Sequence, residues 1–113
     1  MGYCRTENHT KIKDKLSNCE EFKENVEKTS RIFALLGDET RMKIVLSLME
    51  GELCVFHICE IVEGKQSAVS QHLRKLKDAK IVKAQKVGNQ VLYSIADDHI
   101  RTIIKTALRH KNC

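Results

Sequence analysis

Asp97, His99, His110 and Cys113 fall in the closing stretch DDHIRTIIKTALRHKNC, and each carries a donor atom that a metal ion accepts. Carboxylate oxygen, imidazole nitrogen and thiolate sulfur are the ligands that zinc takes. Eleven positions separate His99 from His110. On a helix that is almost three full turns, so the two side chains point the same way while standing roughly 16 Å apart. One ion cannot touch both. Either the spacing is an accident, or the ligands are shared between two chains.

The remaining cysteines form a second group: Cys4 and Cys19 near the start, and Cys54 and Cys59 in ELCVFHIC. Five cysteines at irregular spacing read as thiols rather than a disulfide framework. Cys59 follows Cys54 by five residues, about 140° round a regular helix, so the two do not share a face. A thiolate site at Cys54 forms only if Cys54 precedes the helix, with Cys4 or Cys19 closing on it. Cys59 reads better as a small buried hydrophobe. No P-loop, no H-E-x-x-H and no nucleophile with a base and an orienting partner is present, so neither an enzyme nor a small-molecule substrate is expected.

The elements that must position these residues follow from periodicity. Residues 1–20 are polar and charged, with too little apolar surface to repay ordering, and are expected to form a flexible N-terminal arm or a frayed helix. Residues 21–113 are read as one domain. Phe22, Val26, Ile32, Phe33 and Leu36 recur at helical spacing, and Gly37 ends that helix. Asp38 caps the next, with Met42, Val45, Leu46 and Met49 as its apolar stripe. Val55, Ile58, Ile61 and Val62 mark a third helix, closed by the turn Glu63, Gly64, Lys65. Ser67 is placed to cap a fourth, in which Val69, Leu73 and Leu76 are the buried face. IVKAQKVGNQVLYSIA then reads as a hairpin about Gly88 and Asn89, and a last helix, capped by Asp97, carries Ile100, Ile103, Ile104, Ala107 and Leu108. The expected fold is mainly α with a β-hairpin wing, a winged helix-turn-helix.

That order suggests DNA. A helix, a three-residue turn and a second helix rich in small polar and basic residues is the arrangement that enters a major groove. Ser67, Ser70 and Gln71 have the reach to read base edges, while Arg74, Lys75 and Lys77 suit phosphates. Lys86, Asn89 and Gln90 at the hairpin would be the wing's contribution. Twenty Lys and Arg against fifteen Asp and Glu give a formal charge of +5, which favours a polyanion. No apolar run approaches twenty residues and no signal-peptide succession opens the chain, so a cytoplasmic protein without a membrane partner is expected.

In this order, LLGDETRMKIVLSL, GELCVFHICEIV, SAVSQHLRKLKDAKIV, GNQVLYSIADDHI and the closing helix resemble the ArsR/SmtB family of metal-responsive bacterial repressors. The resemblance runs from about residue 30 to the end. It implies a homodimer that binds double-stranded operator DNA, represses a promoter, often that of a metal-efflux gene, and leaves the DNA when metal binds. In the SmtB-like branch the last helices of two subunits pack antiparallel, and D-x-H of one chain joins H-x-x-[EH] of the other at the metal. The matching positions here are Asp97, His99, His110 and Cys113.

The implied effector is a divalent metal, zinc or cadmium. Cys113 replaces the family's Glu or His, and a softer thiolate tilts the preference toward cadmium. ELCVFHIC resembles the ELCVCDL stretch through which another branch binds cadmium, lead or arsenite. Cys54 matches its first cysteine, and Phe56 stands where the second should be. Two other functions fit the same fold: a thiol-based redox-sensing repressor, and a DNA-binding protein with a purely structural zinc.

Overall fold

The computed structural model describes residues 6–112. By its contacts the chain divides between Phe33 and Ala34. The first unit holds helix α1 (Thr6–Ser17) and the larger part of α2 (Glu20–Leu36). The segment expected as an arm is thus helical over most of its described length. Cys19 marks the junction, where its Sγ accepts from the Phe22 N–H at 3.4 Å, a sulfur standing where Ser or Asp usually caps a helix. Phe22, Val26 and Phe33, read from sequence as an apolar face, are 40, 52 and 57% exposed.

The second unit runs α3 (Glu39–Glu50), β1 (Leu53–Cys54), α4 (Val55–Val62), α5 (Gln66–Asp78), β2 (Val82–Val87), β3 (Gln90–Ile95) and α6 (Asp98–His110). Asp38 caps α3 as expected, its Oδ2 accepting from the Arg41 N–H at 2.9 Å. The same bond holds the Asp38 carboxyl below its ordinary pKa. The stripe of α3 differs from the expected one: Ile44, Val45 and Leu48 are fully buried, whereas Met42, Leu46 and Met49 are half-buried. The reason is that α3 packs against α4, α5 and β3 together, so no single periodic face describes it.

Between α4 and α5 the chain turns through Glu63, Gly64 and Lys65. Glu63 takes the left-handed conformation (φ 55°), and the Gly64 N–H returns to the Cys59 carbonyl at 3.1 Å, closing α4 in a Schellman turn. Gly64 has the other role. A Cβ there would sit 3.1 Å from Val69 Cγ2 and 3.4 Å from Val62 Cγ2, so the bare backbone lets the two helices close. A second left-handed residue, Lys80 (φ 61°), ends α5 in the same way, with the Ile81 N–H bonded to the Leu76 carbonyl at 2.9 Å.

The sheet is antiparallel in the order β1-β3-β2. The hairpin pairs Val82 with Ile95 and Val87 with Gln90, leaving Gly88 and Asn89 as a two-residue loop. Gly88 has φ 62°, which glycine adopts without strain. Strand β1, only two residues long, pairs Leu53 with Tyr93 and Cys54 with Leu92 and was invisible to periodicity. The core lies where α3, α4 and α5 meet the buried end of the hairpin, with Ile58, Leu73, Leu76 and Ile81 fully enclosed. Each such side chain contributes on the order of 1.5–3 kcal/mol.

Candidate DNA interface and metal centre

Helix α5 separates its residues as expected. Val69, Leu73 and Leu76 are buried, while Ser67, Ser70, Gln71, Arg74 and Lys75 are all exposed. At about 100° per residue these five cover an arc of roughly 140°, opposite the buried face, and span about 12 Å of helix. That length matches the width of a B-DNA major groove, about 12 Å. Gln66, exposed at the first position of α5, belongs with this set and was missed from sequence because the helix begins two residues earlier than expected.

The expected cap is corrected with it. Lys65, not Ser67, occupies the N-cap, and it makes no side-chain cap bond. The glycine turn fixes where α5 starts, so Ser67 falls inside the first turn, where it is exposed. The uncapped first-turn N–H groups, beside Lys65, suit a phosphate oxygen.

On the hairpin, Lys86, Asn89 and Gln90 are exposed. Because side chains alternate along a strand, Lys86 shares a sheet face with its partner Val91, while Gln90 and Lys83 lie on the other face. The wing tip is therefore two-sided rather than one positive patch. Val87 and Val91 there are 51 and 40% exposed.

At the other end of the domain Asp97 caps α6. Its Oδ1 accepts from the Ile100 N–H at 3.2 Å and lies 2.9 Å from His99 Nδ1. The contact is an ion pair or hydrogen bond, and it brings one oxygen and one nitrogen of the kinds that zinc takes to the same end of α6. Both side chains are largely exposed. His110, the last residue of α6, is also exposed. Cys113 lies outside the described residues, as does Cys4. Among the described residues no three metal-ligating side chains converge within the one chain.

Helix α6 is bound to the core through Ile100 and Ile104, which are 5 and 3% exposed. Of the apolar positions read on this helix, Ala107 and Leu108 are the ones left exposed. Arg101 adds a polar tie, its Nη1 donating to the Met49 carbonyl at 3.3 Å near the end of α3.

Cys54 does precede its helix, as a thiolate site would require. It is the N-cap of α4 in extended conformation, and its Sγ lies 3.3 Å from His57 Nδ1. His57 is exposed and meets the Phe56 ring edge-on. Cys59 is half-buried on α4, and Cys19, Cys54 and Cys59 are free thiols. Arg41 and His72 also meet, at 3.3 Å, a contact no sequence pattern announced because the two are far apart in the chain.

Residues 38–84, from the cap of α3 into β2, match the family described as bacterial regulatory protein, arsR family. A cadmium resistance transcriptional regulatory protein CadC homolog of Staphylococcus aureus is 42% identical over 91 residues, covering 79% of this chain and 74% of its own length. The HTH-type transcriptional repressor SmtB of Mycobacterium tuberculosis is 32% identical over 107 residues, covering 90 and 79%. Among solved structures, reduced HlyU from Vibrio cholerae superposes with a TM-score of 0.72 at 27% identity, covering 80% of this chain and 96% of that one.

Proposed function

The chain belongs to the arsR family of bacterial regulatory proteins, DNA-binding transcriptional regulators and not enzymes, and on that premise we propose that it is a metal-sensing repressor. It binds operator DNA as a homodimer and is released by a divalent metal, zinc or cadmium, so that genes of metal efflux or resistance are expressed. Each protomer lays α5 in a major groove, with Ser67, Ser70 and Gln71 at base edges and Arg74 and Lys75 at phosphates. Lys86, Asn89 and Gln90 of the wing add contacts beside it.

The observation that carries the sensing role is the 2.9 Å approach of Asp97 Oδ1 to His99 Nδ1 at the start of α6. Those two side chains offer one oxygen and one nitrogen; His110, about 16 Å along the helix, cannot join them within one chain. In an antiparallel pair of α6 helices it reaches the partner's pair instead, with Cys113 as the fourth donor, and the dimer has two symmetric sites. The exposed Ala107 and Leu108 of α6, and separately Phe22, Val26 and Phe33 of α2, are the apolar surfaces available to a second copy. The ion, when bound, supplies a coordinate link between the two closing helices.

Arg101 is placed to pass a shift of α6 to the end of α3 through the Met49 carbonyl. A coupling of a few kcal/mol is enough to switch occupancy of DNA. The likeness to a regulator named for cadmium resistance supports the effector class.

A thiol-based redox response of the same fold is the second reading, and the 3.3 Å contact of Cys54 Sγ with His57 Nδ1 is what favours it. Titration of the protein–DNA complex separates the readings. Release by micromolar zinc or cadmium, reversed by a chelator with the fold intact, is the expected result. Release by peroxide alone would transfer the sensing role to the thiols, and unfolding on chelation would make the metal structural.

A further inference from the structure

Arg41 is bonded at three points. Its backbone N–H is taken by Asp38 Oδ2 at 2.9 Å, its Nε donates to the Leu35 carbonyl at 2.8 Å at the end of α2, and its Nη1 lies 3.3 Å from His72 Nδ1 on α5. Both side chains are half-buried. A guanidinium only donates and stays charged, so His72 Nδ1 must be the acceptor.

His72 occupies the flank of α5. It lies between the buried face of Val69, Leu73 and Leu76 and the exposed face that holds Gln71, its neighbour in the chain. Apolar burial holds α5 on the core but is not directional. A hydrogen bond at the flank is directional, and it fixes the rotation of the helix about its own axis. A rotation of about 10° moves a side-chain tip some 5–6 Å from the axis by about 1 Å. That displacement takes a base-edge contact out of the 2.7–3.2 Å range in which a hydrogen bond forms.

We propose that Arg41 and His72 are positioning residues for DNA recognition. Their contact sets the angle at which Ser67, Ser70 and Gln71 meet base edges, and it ties that angle to the end of α2 through the Leu35 carbonyl. The inference rests on the DNA-reading role of α5 proposed above. It assigns neither residue to the DNA itself.

The test compares two duplexes of equal length, one carrying a sequence that the wild-type protein enriches from a randomised pool and one of mixed sequence. His72→Leu should weaken binding to the enriched duplex about tenfold, while mixed-sequence affinity, salt slope and melting temperature stay near wild type. His72→Gln, whose amide oxygen can accept from Arg41, should restore most of the loss. Arg41→Lys, which keeps the charge but loses the forked donor, should behave like His72→Leu, and combining the two should cost no more than either alone. Enriched-site affinity within twofold of wild type in His72→Leu would overturn the proposal. So would a reduced salt slope, which would put His72 on a phosphate, or a His72→Gln variant no better than His72→Leu. A wild-type protein that enriches no sequence would overturn the DNA-reading role of α5 itself, and the positioning role with it.

Discussion

Replacing Lys75 by Gln removes one exposed cation from the face of α5 and should be visible as a change in slope rather than only in affinity. Arg74 and Lys75 on α5 and Lys86 on the wing are exposed, and if each meets one phosphate in the proposed dimer, the complex has six such contacts. At about −0.9 per contact, log K should fall against log salt with a slope near −5.4. Raising salt from about 50 to about 200 mM then weakens binding roughly 1,800-fold. Lys75→Gln leaves four contacts, a slope near −3.6, and a loss of roughly 150-fold over the same range. Fluorescence anisotropy of a labelled duplex across a salt series reads both slopes. An unchanged slope in Lys75→Gln would refute the placement of that face of α5 against the DNA backbone.

Gln71→Ala should do the opposite, relaxing base preference at one position of the site, at a cost of about 1–3 kcal/mol, with the salt slope kept; binding-site selection with the variant reads this. Asp38→Ala should lower the melting temperature at neutral pH. Because the Arg41 N–H holds the Asp38 carboxyl below its ordinary pKa, that stabilisation is present above about pH 4 and is lost as the pH falls through the lower folded value. Melts of the two proteins should therefore differ at pH 7 and converge under strong acid, and a gap that widens in acid would contradict the sign. Leu108→Glu should shift sedimentation at micromolar concentration from dimer toward monomer, since Leu108 is exposed on α6 while Ile100 and Ile104 already serve the core.

Sequence made the reading helix plain because α5 has one buried face and one open face, and Val69, Leu73 and Leu76 show it with high contrast. The hairpin was equally legible, since Gly88 and Asn89 stand between two alternating runs and glycine is needed at φ 62°. Helix α3 was misread because it is central. With neighbours on several sides its apolar residues follow no single period, and Ile44 and Leu48 were passed over for Met42 and Met49. The start of α5 was misplaced because backbone geometry at Glu63 and Gly64, not a capping side chain, decides it.

Contacts between residues distant in the chain left no trace in spacing. Arg41 with His72 joins α3 to α5, and Arg101 with the Met49 carbonyl joins α6 to α3, each between residues too far apart in the chain for spacing to reveal. The candidate metal ligands were legible by donor type. Their division into two pairs by eleven helical positions leaves either an accident of spacing or ligands shared between two chains.

That division gives the most direct test of the sensing role. His99→Ala and His110→Ala should each remain folded and bound to DNA, because neither residue lies on α5 or the wing, yet neither variant should be released by zinc. Mixed heterodimers of the two variants should have one site lacking both histidines and one retaining both. Zinc titration of the isolated heterodimer should therefore recover one tight site per dimer. Recovery of none would mean that the ligands are contained within single chains, and the shared metal centre would be wrong.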